Sequence, residues 1–256
     1  MKARPLKPPH PGWHAGPTQD HEDQKMNAKT DIRPAHQGAT HDLYHAVHKG
    51  IRLANARMLI ALGQADAQDD ASIARVLAQL SAHLDLSLAH LTHENEKIHA
   101  VVEARIPGGA DHAGEDHDHH LAAFSELRAL ADAVAMAEAD RAAPLRRLYQ
   151  RFALFMADDL THMHEEETRL MPQIAAHFSQ AEVLAIEQDI VAGIAPETMA
   201  AFLKVMLGGT SRSERAAMVE GMRAAMPEAA FAGLFAAVAG PDWRFGDWAG
   251  LERALC

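Results

Sequence analysis

A chain of 256 residues with a formal net charge of -11 offers no basic surface to nucleic acid or to an anionic membrane, both of which call for clustered positive charge. Its one cysteine, Cys256, is the last residue, so no disulfide forms within the chain, which fits a reducing, cytoplasmic setting. The longest nearly apolar run, 229–239, is too short to span a bilayer, and the 18 histidines are the unusual feature of the composition.

Residues 1–39 mix Pro, His, Lys and Asp without an apolar period and read as a disordered leader whose histidines are solvated. They lack the apolar core of a secretory signal, and a start at Met1 or at Met26 is left open. A first helix is expected from His41 or Asp42 to about Leu62. Its buried stripe, Tyr44, His48, Ile51, Asn55, Met58 and Leu62, carries one histidine among core positions. Alone, His48 reads as a core histidine bonded to a carbonyl. The reading changes because three further helices repeat the pattern.

The second helix is expected from about Ala71 to Arg105 and is ended by Ile106-Pro107-Gly108-Gly109. Its stripe runs Leu80, Leu84, Ser87, turns polar at His90 and Glu94, and resumes with Ile98 and Val102. An acidic loop, 111–115, leads to a third helix over about 116–139 with the stripe His117, His120, Phe124, Leu127, Ala131, Val134. Pro144 suits the first turn of a fourth helix, because its missing N–H would be unpaired there in any case. Here Leu148, Phe152 and Phe155 give way to Asp159, His162 and Glu166 before Leu170 and Ile174 restore the apolar face, and Pro172 should kink or end the helix within a turn or two. Four long amphipathic helices joined by short polar loops predict an all-α fold, an antiparallel up-down-up-down four-helix bundle over residues 40–178.

Beyond 178 the texture changes. Ser179-x-x-Glu182 and Ser211-x-x-Glu214 read as capping boxes, and Gly193, Pro196, Gly208-Gly209, Pro227 and Gly240-Pro241 divide 179–256 into four or five shorter helices. This additional helical segment contains no histidine, so packing, a protein partner or self-association is expected of it rather than ligation.

His90 and Glu94 are four residues apart, as are His162 and Glu166, so each pair projects imidazole and carboxylate from one helix face, one turn apart. Buried polar groups of this kind cost several kcal/mol, of order 2–7, unless something satisfies them. A metal would. The candidate ligands are His48, His90, Glu94, His117, His120, His162 and Glu166, a set that suits iron, zinc, manganese or nickel and is too large for one tetrahedral zinc. His93, His164, Glu165 and Glu167 fall beside the stripe as supporting or solvated groups. Asp159, one turn before His162, is the best carboxylate to orient a ligand, with a solvent-facing role as the alternative. Hydrolase, kinase and dinucleotide motifs are absent from the sequence.

The segments His48-Lys49-Gly50-Ile51-Arg52, His90-Leu91-Thr92-His93-Glu94, Asp116-His117-Asp118-His119-His120 and His162-Met163-His164-Glu165-Glu166 resemble those of the hemerythrin-like (His-His-Glu cation-binding) family over about 41–178. That resemblance implies two non-haem irons per chain, bridged by carboxylates and binding dioxygen or nitric oxide, or sensing redox state. Two departures stand out. The oxygen carriers place their third-helix histidines four apart, whereas His117 and His120 are three apart, which leaves open whether one or both of them reach. Their fourth-helix carboxylate is an Asp five residues after the His, whereas Glu166 follows His162 by four. The expectation is a binding or sensing protein. An iron peroxidase or ferroxidase, a zinc or other divalent-cation module, and a structural helical module with incidental histidines are the alternatives.

Overall fold

The computed structural model describes residues 41–137 and 140–256, and the leader expected over 1–39 lies outside them. All regular structure among the described residues is helical, as the sequence predicts. The opening residues form a capping turn rather than helix, because Asp42 Oδ1 accepts from the N–H groups of Tyr44 and His45 at 2.9 and 3.0 Å. Helix α1 then runs His45–Gln64. Asp69 caps α2 (Asp70–His93) by accepting from Ala71 N at 2.9 Å.

At Glu94 the helix widens without stopping. A π-turn, π1 (Glu94–His99), is closed by Ala100 N–H donating to the Asn95 carbonyl five residues back, and α3 (Ala100–Arg105) completes the rod. Glu103 holds the turn that follows, accepting from Gly108 N and Ala110 N at 2.8 and 2.7 Å, with Gly108 at a φ of 80° that only glycine adopts without strain. Helix α4 (Asp111–Ala135) starts a turn and a half earlier than its apolar pattern suggests, so the expected loop 111–115 is helical. Helix α5 (Ala142–Glu165) passes into a second π-turn, π2 (Glu166–Leu170), and then α6 (Met171–His177). The rod therefore ends within two turns of Pro172, as expected, and the proline sits just beyond the wide turn, where regular hydrogen bonding is already interrupted.

Helices α1 and α4 each pack on both α2 and α5. One apolar cluster, including Leu80, Leu84, Leu127, Leu148, Phe152 and Phe155, fills one end of this core, and a second, including Tyr44, Ile98, Val102, Leu170 and Ile174, fills the other. Each fully buried Leu or Phe contributes roughly 1.5–3 kcal/mol. Between the clusters lies a polar layer.

Five shorter helices follow: α7 (Gln180–Gly193), α8 (Pro196–Gly209), α9 (Arg212–Ala225), α10 (Glu228–Ala239) and α11 (Trp248–Leu255). Ser179 and Ser211 form the two capping boxes with Glu182 and Glu214. Helix α8 lies along α1 at a crossing that glycines allow: a Cβ on Gly50 would stand 2.8 Å from Met206 N, and one on Gly209 would collide with the Lys49 carbonyl. Glu214 fastens the next helix to α1, accepting from Lys49 Nζ at 2.8 Å and meeting His45 Nε2 at 2.8 Å. These segments bury their own cluster, with Leu203, Leu207, Phe231 and Phe235, and Phe202 joins Ile51, Leu86 and Met163 beside the polar layer.

Candidate metal centre

Each helix of the core brings imidazole or carboxylate to the polar layer at the point where its hydrophobic stripe breaks. His48, Glu94, His117, His162 and Glu166 are all at most 4% exposed, and His90 lies next to them. Two groups of ligand atoms emerge, Glu94 with His117, His162 and Glu166, and His48 with His90 and Glu94. Glu94 belongs to both. In each group the ligand atoms lie within 4.8 Å of one another.

The spacing of the donors is informative. His48 Nε2 stands 3.5 Å from Glu94 Oε1 and 3.3 Å from Glu166 Oε2; His90 Nε2 stands 3.3 Å from Glu94 Oε1; His117 Nε2 stands 3.5 Å from Glu94 Oε2; His162 Nε2 stands 3.3 Å from Glu166 Oε2. Metal–ligand bonds of about 2.0–2.2 Å place neighbouring donors roughly 3.0–3.5 Å apart. Hydrogen bonding does not account for these contacts. His48 Nε2, His90 Nε2 and all four carboxylate oxygens of Glu94 and Glu166 are shut off from solvent without a hydrogen-bond partner. Unsatisfied buried polar atoms are rare because each costs about 1–3 kcal/mol, and six of them meet in this one layer. The buried His/Glu groups can hold a metal ion.

The far side of the rings agrees. A ligating imidazole bonds its second nitrogen to a polar partner that fixes ring and tautomer. His48 Nδ1 meets Glu167 Oε1 at 3.1 Å, and Arg52 grips the same carboxylate through two N–H groups at 2.6 and 3.0 Å. His117 Nδ1 meets Asn95 Oδ1 at 2.7 Å, and His162 Nδ1 meets Asp116 Oδ2 at 3.3 Å. With the outer nitrogen engaged in this way, Nε2 of each ring faces the layer, and those of His117 and His162 lie 3.0 Å apart.

Electrostatics shows how ill-matched the groups are on their own. Burial and repulsion from Glu166 push the Glu94 carboxyl up, while Glu166, against its own burial, is held well below the usual range by His48, His99 and His162. Burial works against a charge on His48 and His162, yet the surrounding carboxylates raise both, His162 to about 9. Burial depresses His117 to about 3 and His120 to about 4. Two imidazoles thus stand in for cations that the carboxylates demand. A divalent ion would supply that charge directly and displace their protons.

Of the seven residues expected from sequence, six meet in the two groups and His120 does not join either. It is buried, its ring 5.0 Å from that of His162, with Nδ1 4.0 Å from Asp159 Oδ1. Asp159 is also buried and accepts from Asn55 Nδ2 at 2.6 Å. One residue escapes the sequence pattern. His99 Nε2 is a further orphaned atom, 3.6 Å from Glu166 Oε1; its ring stacks on that of His117 at 4.9 Å, and its Nδ1 meets Asn95 Oδ1 at 3.1 Å. It follows Glu94 by five residues, a step that leaves the stripe of a regular helix and returns to it in a π-turn, where bonding runs i to i+5. That five-residue step is the only trace of His99 in the sequence. Compared with models of known families, with curated proteins and with solved structures, the chain matches none.

Proposed function

We propose that the chain is a hemerythrin-like protein: an antiparallel up-down-up-down four-helix bundle whose core binds two non-haem irons and, through them, binds or senses dioxygen or nitric oxide. The observation that carries this reading is the pair of carboxylates, Glu94 and Glu166, whose four orphaned oxygens face imidazoles on both sides, with Glu94 common to both ligand groups. Supporting the bundle are the mutual packing of α1, α2, α4 and α5 and the succession of apolar cluster, polar layer and apolar cluster. With His99 counted, five imidazoles and two carboxylates face the layer, more than one ion of four or six ligands uses, and the mixture of donors suits iron.

An iron pair would supply the electrons that let dioxygen bind. The protein's part is to shape and dry the place where that happens. Ile51 and Phe124 wall a space of about 10 Å³ beside His90, Glu94, His117 and His162, about the size of one water and too small for an organic substrate. Asn55 keeps Asp159 fixed at its edge. Apolar walls of this kind restrict water and so slow irreversible oxidation of a bound metal.

Anaerobic loading with ferrous iron tests the reading. About two irons per chain are expected, with new visible absorption when oxygen is admitted, and both signals fall in His90→Ala and Glu166→Ala. One zinc held tightly, with no response to oxygen, would refute it in favour of a plain divalent-cation module. Continued turnover of peroxide or ferrous ion would mark an enzyme instead of a binder.

A further inference from the structure

A second set of donor atoms stands where α4 begins beside π2. His112 Nε2 is 2.6 Å from Glu165 Oε2 and 4.0 Å from Asp116 Oδ2, and the ligand atoms of this trio lie within 4.8 Å of one another. His112 is 61% exposed, whereas the two carboxylates are largely covered. Glu165 Oε2 is itself shut off from solvent and, despite its nearness to His112, has no hydrogen-bond partner. Its other charged neighbour is Arg169, with Nη1 at 3.6 Å.

A cavity of about 230 Å³ is lined by members of both sets, exposed His112 with Asp116 and Glu165, and buried His162 and Glu166. Glu166, one of the lining residues, is 1% exposed, and both its oxygens are orphaned. Asp116 touches both ends, its Oδ2 lying 4.0 Å from His112 Nε2 and 3.3 Å from His162 Nδ1. Polar side chains therefore follow one another from solvent to the buried layer, ending at His162, which meets Asp116 through Nδ1 and Glu166 through Nε2.

A hydrated dication approaching a buried site must lose its water where the dielectric is low, and a sequence of charged ligands lets it do so one ligand at a time. We propose that His112, Asp116 and Glu165 form a capture site that takes a divalent cation from solution and hands it through the cavity to His162 and Glu166. At each step a water or protein ligand is exchanged for the next, the ion keeps its charge, and protons displaced from the imidazoles leave to solvent. Arg169 gives way at little cost, because an exposed ion pair is worth only about 0–1 kcal/mol. The proposal rests on the buried layer being a metal centre.

The test is the rate of cobalt(II) uptake by the metal-free full chain, followed anaerobically by stopped-flow absorption, in wild type, His112→Ala and Glu165→Gln. Neither side chain contributes to the buried groups, and far-UV circular dichroism checks that the variants fold. The expected result is an unchanged final cobalt content reached about tenfold more slowly at low salt, with the gap narrowing as salt screens the attraction. Equal rates would overturn the proposal. So would a reduced final content like that of His90→Ala, since the two residues would then belong to the buried centre itself. A wild-type chain that takes up no cobalt at all would refute the metal centre first and the capture site with it.

Discussion

The same helices build two kinds of interior, a few residues apart. Where Leu80, Leu84, Leu148 and Phe152 meet, apolar side chains pack on one another, and the packing stabilises the chain without help. About three turns along from Leu84 and Phe152, Glu94, His117, His162 and Glu166 occupy equivalent positions, and the carboxylate oxygens there have no hydrogen-bond partner. The apolar end holds the helices in register, and that rigidity keeps the polar layer assembled at a cost. Stability and ligation are thus divided between adjacent layers of one core.

Glu94→Ala should separate the two layers most sharply. Because Glu94 serves both groups, metal content measured on the folded variant should drop to near zero, while the metal-free chain is no less stable than wild type once a charge-bearing orphan is gone. Phe152→Ala should do the opposite, lowering unfolding free energy in urea by about 3–5 kcal/mol and leaving metal content intact. Next in size is His83→Leu. His83 sits in the apolar end, its ring 5.5 Å from that of Phe152, and burial lowers it from 6.5 to about 4. Between those values the unfolded chain binds the proton more readily than the folded one, so stability is present above pH 6.5 and falls as pH drops towards 4. His83 accounts for roughly 3 kcal/mol of that loss. Urea titrations across the window should show a flatter acid slope for His83→Leu. Smallest is Asn95→Ala, which leaves the donors in place and frees the outer nitrogens of His99 and His117; metal affinity measured by competition with a chelator should weaken about 10–100-fold.

Much of this division could be read from residue order. Steps of three and four placed His48, His90, Glu94, His117, His162 and Glu166 on buried stripes, because a regular helix turns by a fixed angle per residue and any polar residue on the apolar stripe must be interior. His99 was hidden by that same regularity. The π-turns start at the two carboxylates themselves, and nothing in Glu94-Asn95-Glu96-Lys97 announces a wider bonding pattern. The partners of the outer nitrogens divide likewise. Asp116 and Glu167 adjoin ligand positions and could be suspected, but the grip of Arg52 on Glu167 joins residues 115 apart in the chain and depends on tertiary packing. The helical start at Asp111 was missed because its first turns carry His, Gly and Glu, which show no apolar period.

The placement of Phe202 bears on how the protein can be dissected. Its ring lies 6.5 Å from that of His90 and 6.3 Å from that of His93, carried there by a helix seated on Gly50. Cutting the chain after Phe178 would keep every donor yet strip the flank of His90 bare, so a minimal fragment would bind its ions in wetter surroundings and lose them sooner.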